Sequence, residues 1–549
     1  MSFDQLAAPV AEWSRLVGPD FVDVSQRSRA EAETATFATH QKVVALVRPG
    51  NRDELKKCVQ VANQFRIPIY PVSSGKNWGY GSRVPPADNC AILDLSRLDR
   101  ILDFNEELAY VTVEPGVTQR QLHSFLQERK TRLWMDATGS SPDCSLIGNV
   151  MERGFGHTAM GDHFAHVCGL EVLLPTGEFI ETGFASFPAS RSAATSRWGL
   201  GPSLDGLFSQ SNYGIVTRMT VWLMPAPEGF EAFFFRAEDP SSLSALINSL
   251  RDLRMKDVLR SAAHIGNDYK VLAGLQQYPW AETGGQAPLA TTTMAQFRQK
   301  LGFGAWNVSG GLYGTRAQIG EAKRALRRAL RGQPGKLKFL KPSTLAFAKR
   351  FAKLFKVFSG WDLSRTIELV EPVLGLMQGV PTEQALHSAY WRKKMAVPRD
   401  PNPDRDRCGL LWYAPIAPTD GEAVRELTSL SSEILLRHGF EPQISLTLLT
   451  PRMTCCIVSI AFDRDVPGED ERAKVCYDEV SERCMAAGFY PYRSGIQGNF
   501  QAHQSETYRA LAWTLKTALD PNGILAPGRY EARSSPVDAR VEAPLQNSR

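Results

Sequence analysis

No stretch of the 549 residues approaches the roughly 20 uninterrupted apolar residues that a membrane-spanning helix needs. The opening Met1-Ser2-Phe3-Asp4-Gln5 lacks the basic and apolar regions of a secretory leader, so a cytoplasmic location is expected. Cysteine is scarce: nine residues, an odd number, with no C-x-x-C spacing. That fits reduced, buried thiols better than a disulfide framework, and the adjacent Cys455-Cys456 in an apolar stretch read as core. Charge of one sign is also in short supply. A net +5 on a chain of this length, with no zinc-finger or recognition-helix pattern, argues against a nucleic-acid binder. The small positive bias could still draw in an anionic substrate or an acidic partner, as a salt-sensitive rate effect. Apolar and charged fractions of 43% and 22% are those of a globular protein, and the length implies two large lobes.

Two familiar phosphate-binding signatures are missing as well. Pro71-Val72-Ser73-Ser74-Gly75-Lys76-Asn77-Trp78-Gly79-Tyr80-Gly81 has neither the terminal Lys-Ser/Thr pair of a Walker loop nor a G-x-G-x-x-G turn. It does place three glycines in seven residues, directly after an apolar strand candidate at 67–70. Such a backbone can approach a ligand closely, and successive free N–H groups form a concave anion site that a pyrophosphate would fit.

Around this loop the hydrophobic pattern predicts a strand at 43–49, a helix at 53–65 with Leu55, Val59 and Ala62 inward, and a strand at 91–95. Many short strands follow up to Leu223-Met224-Pro225-Ala226-Pro227-Glu228-Gly229, where two prolines and a glycine break any element. Residues 1–226 therefore read as a cofactor lobe of α+β class, its first 40 or so forming a helix-bearing segment packed on it. Residues 227–498 have their own rhythm. Strands at 232–235, 306–313 and 409–416 precede helices at 240–251, 315–331 and 421–437, and paired strands at 444–449 and 453–462 precede a helix at 469–487. An antiparallel sheet covered by helices on one side, serving as a cap domain, is expected. Residues 499–530 would return to the first lobe, and 531–549, rich in Pro, Ser, Arg and Glu without periodicity, would be a mobile tail. Within the cap, 336–358 reads as a basic amphipathic helix: Phe347, Phe351, Leu354, Phe355 and Phe358 on one side, Lys349, Arg350, Lys353 and Lys356 on the other. It would be a cap helix with its aromatic face inward, or a face for an anionic membrane or an acidic protein.

Further motifs stand in a fixed order: Val113-Glu114-Pro115-Gly116-Val117-Thr118, Leu146-Ile147-Gly148-Asn149-Val150-Met151-Glu152, Gly161-Asp162-His163, Ser209-Gln210-Ser211-Asn212-Tyr213-Gly214-Ile215-Val216, Phe489-Tyr490-Pro491-Tyr492-Arg493-Ser494 and Leu519-Asp520-Pro521-Asn522-Gly523-Ile524-Leu525-Ala526-Pro527-Gly528. With the Gly-rich loop, this series resembles the vanillyl-alcohol oxidase and p-cresol methylhydroxylase family of FAD enzymes, over nearly the whole chain. The resemblance implies a two-lobed flavoprotein and a homodimer. It implies that Val72, Ser73, Ser74, Gly75, Lys76, Asn77 and Gly79 hold the pyrophosphate, and that Gly148, Asn149, Gly156, His157, Gly161, Asp162, Gly214, Ile215 and Val216 lie along the rest of the FAD. On the substrate side it implies that Tyr80, Tyr492 and Arg493 bind a 4-substituted phenol as phenolate, so that hydride leaves the benzylic carbon for the flavin and a p-quinone methide remains, to be hydrated or desaturated. A phenol has a pKa of about 10, and two hydroxyl donors with a permanent cation in a dry pocket favour the anion.

Two departures from the oxidase branch are informative. Where oxidases carry a carboxylate near flavin N5, counting back from Gly148-Asn149 reaches Ser140, whereas matching residue types reaches Asp143. Leu410 stands where they carry the flavin-linked histidine, so FAD is expected to be bound non-covalently. Both departures favour the methylhydroxylase branch and a cytochrome-type electron carrier as partner; an oxygen-reducing oxidase is the alternative. Asp406, Asp143 and Glu152 are the candidates for a base that would activate water, Glu152 having Arg153 beside it as a possible ion-pair partner. His157, Asp162, His163 and His166 leave open a metal-dependent enzyme as a remote alternative.

Overall fold

The computed structural model of the chain describes residues 3–359 and 363–531. Its first sheet has the order Val22–Asp23, Val43–Val47, Cys90–Asp94, Ile69–Val72, the last three strands running parallel. All of Val43–Val47 is buried, as a β-branched run covered on both faces should be. The helix Arg52–Phe65 begins where the Asn51 side chain accepts from the N–H groups of Asp53 and Glu54. It buries Leu55, Cys58, Val59 and Ala62 and ends at Arg66 in the left-handed region, φ 53°. The Gly-rich loop leaves the carboxyl end of Ile69–Val72, the end of a parallel strand at which ligands collect. Far along the chain, Ile524 and Ala526 close on this edge: Ile69 N donates to Ile524 O at 2.8 Å, and Ala526 N to Ile69 O at 2.7 Å.

A second, antiparallel sheet joins Ile101–Asn105, Tyr110–Val113, Ile215–Trp222, Val167–Leu173 and Phe179–Glu181 in that order. The third is an eight-stranded antiparallel sheet ordered Gly335–Leu340, Gly229–Ala237, Trp306–Gly314, Ala263–Asn267, Gln443–Leu448, Met453–Asp463, Cys408–Tyr413, with Ile416–Pro418 also on Met453–Asp463. Helices Leu243–Met255, Arg316–Ala329, Gly421–Arg437 and Glu469–Ala486 pack their apolar stripes on one face of it. There Leu246, Leu326, Val424 and Val480 meet Phe233, Ile265, Ile444, Leu446, Val458 and Leu411 in one core. The intervening residues point the other way by the period of two of a strand, and these are His264, Ser445, Thr447, Ile457, Leu410 and Trp412, all of them lining the cavity described below.

The sequence pattern missed Ala263–Asn267 and Gly335–Leu340. The second of these corrects the helix expected over 336–358: its first part is an edge strand paired with Gly229–Ala237, and the helix is Pro342–Ser359. On it Lys349 pairs with Glu371 at 2.8 Å, and on the preceding helix Arg324 and Arg328 both pair with Glu321. The side chains from Phe351 to Phe358 lie outside the described residues, and so does the tail from 532 onward. All nine cysteines are buried and unpaired. Among the described residues no helix is long and apolar enough to cross a membrane.

Candidate active site

A cavity of about 550 Å³ lies between the Gly-rich loop and the polar face of the large sheet. Local chemistry brings its walls together. Ser145 caps the helix Leu146–Met151 by accepting from Gly148 N at 2.9 Å and donates to Pro115 O at 2.6 Å, which docks the Gly148-Asn149 turn on the Glu114-Pro115-Gly116 turn. A Cβ at Gly116 would stand 2.6 Å from Ser96 O, so only glycine permits that approach. In the loop, Gly75 and Gly79 adopt φ of 68° and 76°. The backbone N–H groups from Ser73 to Trp78 have no partner among the described residues, and all six residues line the cavity. This is a cradle of amide donors for an anionic group, and a dinucleotide pyrophosphate fits it.

Joined to the cradle through Asn77 is a buried aromatic and cationic corner. The Arg493 guanidinium lies 4.1 Å from the ring centroid of Tyr80 and donates to Asn77 Oδ1, while Trp412 meets Tyr80 edge-on at 5.7 Å. Tyr492 joins them in the wall. Burial pushes the Tyr80 hydroxyl well above its ordinary value and that of Tyr492 up to about 12, in each case against the pull of Arg493, so both are donors at neutral pH. Glu152 accepts from Arg529 at 2.7 Å and from the Tyr530 hydroxyl at 2.6 Å, and lies 3.8 Å from Arg493 Nε. Two guanidiniums thus share one carboxylate. Burial opposes that charge, but the two arginines and the two hydrogen bonds outweigh it and hold Glu152 below the usual carboxylate range.

Five buried polar atoms in the cavity walls lack a hydrogen-bond partner: Tyr80 OH, His157 Nδ1, Ser211 Oγ, Trp412 Nε1 and Arg493 Nε. An orphaned polar atom in a dry wall costs stability, so their convergence marks a site for polar ligands. The walls also hold four cations, Lys76, Lys270, Arg493 and Arg529, against a single carboxylate, Glu152.

Of the residues singled out from the sequence, Val72, Ser73, Ser74, Gly75, Lys76, Asn77, Tyr80, Ser140, Gly148, Asn149, Glu152, His157, Gly214, Ile215, Val216, Leu410, Tyr492 and Arg493 all line this cavity. Others do not. A Cβ on Gly79 would meet Trp412 at 2.9 Å, so this glycine lets the loop pack against the strand Cys408–Tyr413 of the large sheet. Gly156, Gly161 and Asp162 shape the turn behind the wall: Gly156 N donates to Gly161 O at 2.9 Å, and Asp162 caps the short 3-10 helix His163–His166. Asp143 is bound to Arg120 at 2.7 Å and 43% exposed, outside the cavity. Asp406 is also outside it, taking the Tyr390 hydroxyl at 2.5 Å and pairing with Arg405 at 3.0 Å. Glu152 pairs with Arg529 rather than with its neighbour Arg153, which donates to Ser209.

The histidines do not form a metal centre. His163 sits between Asn149 Oδ1 at 2.6 Å and Asp136 Oδ1 at 3.0 Å, His166 turns to Asp162 O, and His157 stacks on His264 with centroids 3.9 Å apart. Among the described residues no three His, Cys, Asp or Glu side chains converge as a metal site requires. Burial pushes His157 down to about 4 and His264 well below its ordinary value, so both rings are neutral.

Sequence reasoning missed Arg529, Lys270, His264 and Trp412. Arg529 directly follows the Asn522-Gly523-Ile524-Leu525-Ala526-Pro527-Gly528 run, which could have drawn attention to it. Nothing in the local sequence around Lys270 marks it.

The chain as a whole is similar to known proteins. A model of the FAD binding domain matches residues 43–183, and one of the C-terminal domain of FAD linked oxidases matches residues 453–530. The chain is 44% identical over 536 residues to the 1'-carboxy-chondrochloren decarboxylase of Chondromyces crocatus, covering 97% of this chain and 98% of that one. It is 29% identical over 483 residues to the 4-cresol dehydrogenase [hydroxylating] flavoprotein subunit of Pseudomonas putida, covering 87% and 85%. The structure of a 4-ethylphenol oxidase from Gulosibacter chungangensis, in complex with isoeugenol, superposes with a TM-score of 0.87 at 28% identity, covering 98% of this chain and 99% of that one.

Proposed function

The chain belongs to the vanillyl-alcohol oxidase and p-cresol methylhydroxylase family of FAD-dependent oxidoreductases, and from that premise we propose that it oxidises the benzylic carbon of a 4-substituted phenol held as its phenolate. The observation that carries this reading is the corner where the Tyr80 hydroxyl and Arg493 Nε are buried without hydrogen-bond partners beside Tyr492. A phenol oxygen there would receive donors from both tyrosines and the charge of Arg493. Lowering a phenol pKa from about 10 to about 7 requires roughly 4 kcal/mol of preference for the anion. Two or three hydrogen bonds to a charged group, each worth about 1.5–3 kcal/mol, are of that size.

The amide cradle at Ser73–Trp78 and the side chain of Lys76 would hold the pyrophosphate, and bound FAD supplies the two-electron acceptor for the hydride. Leu410, only 4% exposed and in the cavity wall, offers no atom for a covalent link, which supports dissociable FAD. Ser140 in the wall, with Asp143 tied to Arg120 outside it, supports a protein electron carrier rather than oxygen as the final acceptor.

The walls bear on the fate of the quinone methide. Adding water to it calls for a base, yet the single carboxylate in the walls is locked by Arg529 and Tyr530, and His157 is a weak base at neutral pH. A second reading needs none, and it is favoured by the 44% identity to a decarboxylase. If the carbon next to the benzylic one carries a carboxylate, its C–C bond to that group breaks. CO₂ leaves, the electron pair forms the new side-chain double bond, and the ring returns to phenolate, which takes back one proton. The net change is loss of CO₂ and of two electrons and a proton, delivered as hydride.

Anaerobic mixing with 4-ethylphenol and with N-acetyltyrosine tests both readings. Loss of the oxidised-flavin absorbance with 4-ethylphenol is expected, and its absence at saturating phenol would overturn the phenol reading. Release of CO₂ with formation of the N-acyl enamine from N-acetyltyrosine is expected for the second; a hydroxylated acid with its carboxylate retained would overturn it.

A further inference from the structure

Lys270 is half-buried in the cavity wall and lacks the carboxylate partner that three other inward-facing lysines have. Lys393 meets Asp463 at 2.7 Å and Asp465 at 2.5 Å, Lys516 meets Asp520 at 2.7 Å, and Lys323 meets Glu231 at 2.8 Å. The Lys270 ammonium, in the cavity wall, has no carboxylate partner among the described residues, and its one hydrogen bond goes to Ser388 Oγ at 3.1 Å. Asp268, two residues earlier, is taken by Arg298 at 3.6 Å, and Glu152 by Arg529. Lys270 also stands in the first turn of the helix Asp268–Leu275, where the helix dipole disfavours a cation. Burial and dipole together make this an expensive place for a positive charge unless a ligand completes it.

The local geometry prepares the ammonium for such a ligand. Ser388, on the 3-10 helix Gln384–Tyr390, donates its own proton to Ala385 O at 3.0 Å, so its oxygen can only accept from Lys270. That fixes Nζ and leaves two of its N–H groups for the cavity. We propose that Lys270 is the anchor of a carboxylate on the substrate's side chain, so that the phenols taken by this enzyme are 4-hydroxyphenyl compounds bearing a carboxylate. This rests on the phenol reading above and adds a second pole to it: Arg493 for the phenolate, Lys270 for the acid. Burial pushes the ammonium down to about 8, which leaves it mostly charged at neutral pH, and a bound carboxylate would supply the missing counter-charge.

Rapid anaerobic mixing of the holoenzyme with a concentration series of N-acetyltyrosine and of N-acetyltyramine, which lacks only the carboxylate, separates the possibilities: the half-saturating concentration is read from the rate of flavin reduction, or from the flavin's spectral shift where no reduction occurs. Lys270→Met is expected to weaken N-acetyltyrosine by about tenfold or more while changing N-acetyltyramine by less than about twofold, with FAD content unchanged. Lys270→Arg should restore part of the difference. Because the substitution removes a half-buried cation that has no carboxylate partner, the Met variant should fold. Equal effects on the two ligands, or loss of FAD from Lys270→Met, which would assign the ammonium to the cofactor's phosphates, overturns the proposal. The two readings also fail separately. If neither ligand reduces the flavin but the selective weakening is seen, the anchor stands without phenol oxidation. If N-acetyltyramine reduces the flavin and the weakening is not selective, phenol oxidation stands without the anchor.

Discussion

The Arg493 guanidinium lies over the ring of Tyr80, 4.1 Å from its centroid, while Arg493 Nε and the Tyr80 hydroxyl, both in the cavity wall, have no hydrogen-bond partner. The stacking packs the guanidinium on the ring face and leaves both polar atoms available to a ligand.

Arg493→Lys should therefore lose far more than Tyr213→Phe. Lysine cannot reproduce a planar cation stacked on Tyr80 and bonded to Asn77, whereas the Tyr213 hydroxyl donates to Ala512 O, and Tyr213 is not part of the cavity wall. Loss of one charge-assisted contact in a closed site corresponds to roughly 2–4 kcal/mol, or about 30- to 1000-fold in kcat/KM for 4-ethylphenol. Tyr213→Phe should stay within about threefold. Wild-type activity in Arg493→Lys would remove Arg493 from the site.

Tyr80→Phe should separate stability from function. The ring packs under Arg493 and Trp412, and the hydroxyl is an orphan in the free protein, so its removal relieves a buried unsatisfied group worth about 1–3 kcal/mol. The melting temperature of the holoenzyme should be unchanged or higher, while the rate of flavin reduction by phenols falls at least about tenfold. A lowered melting temperature with an unchanged reduction rate would mean that the hydroxyl is structural.

Precipitation with acid should release the flavin colour into the supernatant. Leu410 supplies no nucleophile in the cavity wall. A pellet that keeps its flavin after washing would mean that another wall residue carries the link.

Binding of carboxylate-bearing phenols should weaken above pH 8. Neighbouring groups do not titrate there: His264 in the same cavity and His387 on the 3-10 helix packed against Asp268–Leu275 are both pushed down by burial, and Asp268 is paired with Arg298. With the free ammonium at about 8, affinity for N-acetyltyrosine is full below that pH and falls above it towards the affinity of Lys270→Met, since the neutral amine no longer holds the carboxylate. N-acetyltyramine affinity should stay flat between pH 7 and 9, and a parallel fall for both ligands would point to another group.

Reoxidation of the phenol-reduced enzyme should be slow in air and faster with a carrier protein. Transient electron-transfer contacts are steered by charge, so the carrier rate should fall as salt rises. The pairing of Arg324, Arg328 and Lys349 with glutamates makes that slope shallower than a bare basic helix would give. Reoxidation by air within milliseconds would identify an oxidase.

Much of this was legible in the chain because it is local. The Asn51 cap, the buried run Val43–Val47, the glycines at positive φ in the loop and the alternation along Gln443–Leu448 follow from a few adjacent residues, and the sequence alone determined them. The order of the glycine motifs, with Tyr80 and the Tyr492-Arg493 pair, was also readable, since each must keep its own turn to reach a common ligand. The tertiary structure alone decided which charges meet. Ala263–Asn267 lies between Trp306–Gly314 and Gln443–Leu448, so His264 faces Thr447 from 183 positions away, and Lys270 comes into the cavity wall beside Ser388. Asp406 and Asp143 look in sequence like available bases until Arg405, Tyr390 and Arg120 are found on them, and Glu152 until Arg529 arrives from 377 residues on. A side chain's type fixes what it can do, but whether its charge is already spent depends on partners that only the folded sheet order brings within reach.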